Sequence, residues 1–322
     1  MGAGRIRCRG PASLPARVVA DGRPGNDLLL LDPGTGTAHR GAIARSQDPG
    51  SAAGHRGSRM SEYYGTDEQV RLQRRVIESI GWIAATPGAC NSGRFLGCDE
   101  LDRLGWDALL EILRRDGAVG FRMLPSERAP AVASRLASFG FRLDTWDVFA
   151  GDRAAALSIA EAAAQGLPAP FRDIEIPAIP DDRLLTGLQA LMAENGIVPF
   201  PAALLTGRAA PAVLAAVEDG SGRPAAVAFG YLPHNAHSPW RRWAFVGLVA
   251  VDKAHRGQGL GRHVNARAVA GVLRQLEAET VYELVHASNL PSRRMVESSG
   301  LQLHPGLKAG IATVADAGRF TR

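Results

Sequence analysis

The chain has 322 residues, 46% of them apolar, enough for two modest domains and ordinary for a globular protein. No apolar run approaches the roughly 18–20 residues of a membrane span, so no membrane partner is expected. The formal charge of +5 resides in residues 1–59, which hold nine Arg and four Asp and neither Lys nor Glu. The remainder is neutral, which argues against a nucleic-acid groove in the folded part.

Residues 1–59 also contain eleven Gly and five Pro and sustain no helical or strand period, so a disordered extension is expected there. Cys8, Cys90 and Cys98 are odd in number and fit neither a disulfide framework nor a zinc site. No metal is expected, and a reducing cytoplasm is the simple reading. Cys90 and Cys98 flank a Gly-containing loop, so a pairing between them stays open.

From residue 61 a helical pattern carries Val70, Leu72, Val76, Ile77 and Ile80. A loop over 88–97 and a helix over 106–115 follow. Residues 118–124 read as a strand, 126–139 as a helix ended by Gly140, 141–150 as a second strand and 154–164 as a helix. Pro168, Pro170, Pro177 and Pro180 then punctuate the chain. The domain division is therefore expected near Pro168, with an N-terminal α/β domain over 60–168 and a second domain over 169–322.

In the second domain a strand over 171–176 precedes a helix over 181–193, a loop over 195–201 and a short helical stretch. Strands over 212–218 and 225–231 are joined by Asp219-Gly220-Ser221-Gly222, a hairpin signal. A third strand spans 243–251. A Gly-rich turn, Arg256-Gly257-Gln258-Gly259-Leu260-Gly261, leads into an amphipathic helix to about Leu276. A strand over 280–286, a short helix over 291–299 ended by Gly300, and closing strands over 301–314 with a turn at Pro305-Gly306 complete the chain.

The strand, Gly-rich turn and helix make an anion site. Glycine lets the backbone approach closely, and the first N–H groups of the helix point at the ligand with the positive end of its dipole. The spacing is wrong for a dinucleotide fold, and the Gly-Lys-Ser/Thr of a Walker loop is absent. A tight turn with no ligand remains an alternative for the run taken alone.

Arg256-x-x-Gly259-x-Gly261 after a strand resembles the acetyl-CoA signature of the GNAT superfamily of N-acetyltransferases. The later motif of that family is similar to Asn289, Ser292, Met295 and Gly300, in the same order and spacing. The resemblance covers roughly residues 171–322. It implies a mixed, mostly antiparallel central sheet flanked by helices, with the smaller α/β domain on its N-terminal side. Residues 136–147, with Gly140-Phe141, faintly resemble the same family's helix-end motif, so a degenerate second half is plausible there.

The resemblance further implies that the amides of Gln258, Gly259, Leu260, Gly261 and Arg262 take the pyrophosphate of acetyl-CoA, with Arg256 and Gly257 framing the turn. Val249, Ala250 and Val251 would run beside the pantetheine, in a gap opened by a bulge in their strand, where Gly247 fits a bulge or a close approach. Asn289 and Ser292 would line the distal arm. The implied reaction is direct attack of a primary amine, of a small molecule or a peptide, on the thioester. A homodimer stays open. Many relatives place a Tyr acid where this chain has Val296. Candidates for proton transfer are His286, Glu218 and Glu283, and a CoA-binding module without catalysis remains the alternative. His234 and His237 read as surface residues of a loop over 232–242, which is a candidate acceptor loop.

Overall fold

A computed structural model describes residues 62–177 and 180–315. The extension expected over residues 1–59 lies outside them. Two helices open the described chain, α1 (Asp67–Glu78) and α2 (Ile80–Ala85). Thr66 and Gln69 form a reciprocal capping box at the start of α1. The single helix expected here breaks at Ser79. The expected loop over 88–97 contains two short strands, β1 (Ala89–Asn91) and β2 (Leu96–Cys98). Cys90 and Cys98 are both buried and free.

Next come α3 (Leu101–Leu104), α4 (Trp106–Asp116), β3 (Ala118–Pro125), α5 (Ala129–Ala137), β4 (Phe141–Asp152) and α6 (Arg153–Ala163). The second half contains β5 (Arg172–Ile174), α7 (Asp182–Glu194), α8 (Ala202–Leu205), β6 (Ala212–Glu218), β7 (Pro224–Tyr231) and β8 (Trp243–Val251). A 3-10 turn (Lys253–His255) leads to α9 (Leu260–Gln275), β9 (Thr280–Val285), α10 (Leu290–Glu297) and β10 (Gln302–Val314).

All ten strands join one sheet in the order β1-β2-β3-β10-β4-β9-β8-β7-β6-β5. Among the described residues only β2/β3 and β8/β9 pair in parallel. The fold is thus the expected mixed, mostly antiparallel α/β sheet flanked by helices. On one face α6, α9 and α10 pack on Val246, Val281 and Val285. On the other, α7 and α8 cover Val227, Phe229, Tyr231, Phe245 and Tyr282. A separate cluster joins α1 to α5 with β3. Among the described residues no helix is long and apolar enough to cross a membrane.

The two halves divided near Pro168 in the sequence share this sheet, and the described residues form one compact unit. The reason is an exchange of strands. The chain contains two strand–helix–strand units, β3-α5-β4 and β9-α10-β10. The second strand of each lies beside the first strand of the other, β4 on β9 and β10 on β3. The two exchanged strands pair with each other at the centre. β10 is one strand rather than the expected pair. Its Pro305-Gly306 segment is a bulge in which Ser126 N–H donates to the Gly306 carbonyl at 3.0 Å.

A buried polar contact ties α9 to this sheet. Asn265 on α9 donates to the Glu283 carboxylate at 2.8 Å and approaches the Ser299 hydroxyl at 3.2 Å. Glu283 is 3% exposed, and burial raises its pKa from 4.5 to about 8, with the Asn265 hydrogen bond offsetting part of the shift.

Two predictions follow from this packing. Gly300 has φ of 87°, and an added Cβ would lie 2.9 Å from Ala156 Cα. Gly140 has φ of 81° with no atom within 4 Å of that position. Gly300→Ala is expected to cost about 3 kcal/mol and Gly140→Ala about 1, read by denaturant unfolding. Glu283 binds more protons folded than unfolded between about pH 4.5 and 8. Its contribution to stability therefore falls as pH rises through that window, at up to about 1.4 kcal/mol per pH unit. Glu283→Gln removes this decline. The difference between the two proteins isolates the residue from His234, whose pKa burial lowers below 6.5 and which acts in the opposite sense at lower pH.

Candidate functional site

β8 carries two irregularities. Between Phe229↔Gly247 and Val227↔Ala250 it has one residue more than β7. Leu248 absorbs the extra residue with φ of 55°, a conformation uncommon for a residue bearing a side chain. The bulge thus falls one residue after Gly247. Gly247 serves a close approach instead: a Cβ there would lie 2.6 Å from the Phe245 ring. On its other edge, β8 pairs with β9 only from Trp243↔Thr280 to Phe245↔Tyr282. Both strands continue, to Val251 and Val285. Past Phe245 they splay, and among the described residues that edge of β8 has no strand partner.

The Gly-rich turn lies at the end of the same strand. Asp252 accepts from Ala254 N–H at 2.8 Å, and Arg256 through Gly259 are exposed. Gly257 and Gly259 have φ of 78° and 82°, with open space over both α-carbons. Gly259 is the N-cap of α9, and no side chain caps the helix. Its first amides therefore stay available to an anion. Arg256 donates to Asn195 Oδ1 at 2.5 Å, which ties the turn to the end of α7. At Gly261 a Cβ would lie 3.3 Å from Val251 and 3.7 Å from Met295 Sδ, so the helix sits close on the strand. Val249 and Val251 are half-buried and flank the buried Ala250. Asn289 accepts from Ser292 N–H at 3.2 Å and caps α10.

A cavity of 190 Å³ opens at the mouth of the gap. Phe245, Leu248 and Leu284 line it from β8 and β9. Its other walls come from the N-terminal half and the loop before α8: Ser92, Arg94, Arg122, Trp146 and Phe200. Leu284 alternates with Glu283, so the cavity is on the face opposite α9. Arg122 is 6% exposed and stacks over the Phe245 ring at 4.6 Å. Arg94 stacks over Phe200 at 4.9 Å and donates through Nε to the Val198 carbonyl at 2.7 Å.

Behind Arg122 lies a buried polar cluster. His234 Nδ1 is 2.7 Å from Asp99 Oδ2, and its Nε2 is 3.3 Å from the Tyr282 hydroxyl. Burial lowers the His234 pKa against the opposing pull of Asp99, and burial pushes the Tyr282 phenol up. His234 is therefore a neutral imidazole that donates to Asp99 and accepts from Tyr282. Cys90 Sγ lies within 4.8 Å of the Asp99 and His234 ligand atoms. Two ligands of a tetrahedral ion stand about 3.4 Å apart, so the shorter His234–Asp99 separation is a hydrogen bond.

The expectation of a surface loop over 232–242 is corrected here. Asn235 Nδ2 donates to the carbonyls of Ile83, Thr86 and Ala89, each at 2.8 Å, and docks the loop on the N-terminal half. His234 is consequently buried, while His237 stays exposed. The proton-transfer candidates lie apart from the cavity. His286 is exposed and bonded to Ser288 Oγ at 2.8 Å. Glu218 pairs with Arg172 and Pro224 at the far end of β6. Glu283 faces α9. Val296 is fully buried in the core. The sequence reading missed Arg94, Arg122 and the Asp99–His234–Tyr282 chain. One signal was available: Arg122 is the only charged residue in β3, among Ala, Val, Gly, Phe, Met, Leu and Pro.

Residues 188–301 match the family model described as the Acetyltransferase (GNAT) family. No curated protein matches the chain. Among solved structures, a GCN5-related N-acetyltransferase from Kribbella flavida is similar at 14% identity and a TM-score of 0.48, over 77% of this chain and 97% of that one. A Drosophila protein is similar at 14% identity and 0.49, over 78% and 90%. A tandem GNAT protein from the clavulanic acid biosynthesis pathway is similar at 16% identity and 0.48, over 76% and 89%. With residues 188–301 spanning the bulged strand, the Gly-rich turn and α10, the C-terminal region of this chain belongs to the GNAT superfamily of acetyltransferases.

Proposed function

We propose that the protein is an acetyl-CoA-dependent N-acetyltransferase acting on a primary amine. The observation that carries this is the open edge of β8 beyond Phe245, which ends at the uncapped start of α9. An extended amide-bearing chain can pair with such an edge as a strand would. A pyrophosphate suits the helix amides beyond it. The fit is supported by the open space over Gly257 and Gly259 and by the close seating of Gly261. On this reading the amides of Gln258 to Arg262 hold the pyrophosphate, with Arg256 framing the turn. Backbone groups of Val249, Ala250 and Val251 hold the pantetheine, and Asn289 and Ser292 border the far arm.

Bound acetyl-CoA supplies an activated acetyl thioester. The amine nitrogen forms the new N–C bond, the C–S bond breaks with its electron pair on sulfur, and one proton passes from nitrogen to sulfur. The chain's own contribution is orientation and exclusion of water by Phe245, Leu248 and Leu284 at the gap. A backbone N–H near Val249 is the candidate donor to the thioester oxygen.

A CoA-binding module without catalysis is the second reading. It is favoured by Val296 in the core and by the separation of His286, Glu218 and Glu283 from the cavity. Thiol release from acetyl-CoA across a panel of amines separates the two: release with none of them, at saturating cofactor, supports the module.

Gly259→Glu puts a strained φ and a negative charge at the turn. Its dissociation constant for acetyl-CoA, by calorimetry, is expected to rise at least about a hundredfold, with the melting temperature lowered by only a few degrees. Unchanged affinity would refute the assignment of the turn.

A further inference from the structure

We infer that the cavity at the mouth of the β8/β9 gap is an acceptor subsite for a carboxylate, and that the acceptor is a small amino acid presenting its amine to the gap. The inference rests on the acyl-transfer reading of that gap and adds the substrate class.

Three groups carry it. Arg122 Nη1 is buried and has no hydrogen-bond partner among the described residues. Arg122 also makes no ion pair within 4.0 Å there, although a buried guanidinium without a counter-charge is costly. Ser92 Oγ is a second buried polar group on the same cavity wall, with the Cys90 thiol as its neighbour. Arg94 brings a second guanidinium to the wall, held over Phe200 and, among the described residues, bonded only to a carbonyl.

The charges decide the sign and the size of the ligand's charge. Asp99 is the carboxylate of the cluster behind Arg122, and it is engaged by His234. His234 is neutral. Two guanidiniums against one carboxylate leave a net charge of one, which matches a carboxylate better than a phosphate dianion. A planar guanidinium also suits a carboxylate through two parallel N–H bonds.

Backbone geometry supports a built site. β3 holds one residue more than β10 between Lys308↔Leu124 and Gly310↔Phe121, and Met123 takes φ of 52° within that bulge. Such a bulge re-aims neighbouring side chains, here Arg122. Leu248, the other positive-φ strand residue, borders the same cavity. Phe245 stacks with Arg122 and is also the last β8 residue paired to β9. The carboxylate subsite and the gap thus meet at one ring. The remaining wall is aromatic and aliphatic, and 190 Å³ suits a small apolar amino acid rather than a folded peptide segment.

The test compares leucine, leucinamide and 3-methylbutylamine in thiol release, alongside thermal-shift binding of N-acetylleucine and its phosphonate analogue without cofactor. Wild-type protein is expected to prefer leucine by at least about a hundredfold in kcat/KM over either analogue. N-acetylleucine should raise the melting temperature and the phosphonate should not. Arg122→Met should abolish that shift and the preference while leaving the acetyl-CoA dissociation constant unchanged. Arg122→Lys should retain a weakened preference, which guards against misfolding as the cause. Equal turnover of leucine and 3-methylbutylamine, a shift that survives in Arg122→Met, or a shift with the phosphonate alone would overturn the inference while leaving acyl transfer standing. Failure to bind acetyl-CoA would instead overturn the acyl-transfer reading, and the N-acetylleucine shift still decides the carboxylate subsite. Absence of that shift in the wild type overturns the inference.

Discussion

A backbone edge without a partner organises this protein. Every strand N–H and C=O removed from water needs a hydrogen bond, and a sheet normally supplies it from both sides. β8 has β7 on one side throughout, but β9 only as far as Phe245. The extra residue at Leu248 bends β8 out of register, and the two parallel strands diverge. What remains is an exposed edge inside the sheet rather than at its rim. The close contact of Gly261 with Val251 and Met295 holds the helix start at the far end of that edge. Edge and helix start form one continuous surface, polar along its backbone and ended by positive dipole.

The second constraint is the exchange of β4 and β10. Because β4 lies between β9 and β10, the N-terminal half cannot separate from the sheet without breaking its centre. The exchange also brings β3, with Arg122, near β8 and β9. Asn235 completes the arrangement by fixing the 232–242 loop to the carbonyls that end α2 and begin β1. The buried chain from Asp99 through His234 to Tyr282 then spans both halves, linking an N-terminal carboxylate to a phenol on β9. The N-terminal half is thus a wall of the candidate site.

Much of this was legible in the sequence. The hairpin at Asp219 to Gly222, the bounds of β8, and the turn into α9 carry strong local signals: alternation, glycine punctuation and helical period. The gap was legible only through resemblance, with Gly247 fitting either a bulge or a close approach. The structure has the close approach at Gly247, whose missing side chain makes room for Phe245, and the bulge at Leu248. Short strands such as β1 and β2 were missed because three residues show no period. Pro305-Gly306 has the composition of a turn, yet Ser126 holds it as a bulge within β10. That strands on both sides of Pro168 join one sheet was not legible, because local pattern does not report which strands pair. For the same reason the site was half read. The phosphate turn lies in one stretch of sequence, whereas Arg122, Arg94 and His234 meet only through the exchanged strands and the docked loop.

The most direct measurement is amide hydrogen exchange along β8 with and without acetyl-CoA. The account predicts added protection at Val249 and Val251 and in the first turn of α9, with Phe245 unchanged because β9 already pairs with it. Saturating ligand that leaves residues 246–251 unprotected would contradict the claim that the open edge of β8 holds the cofactor.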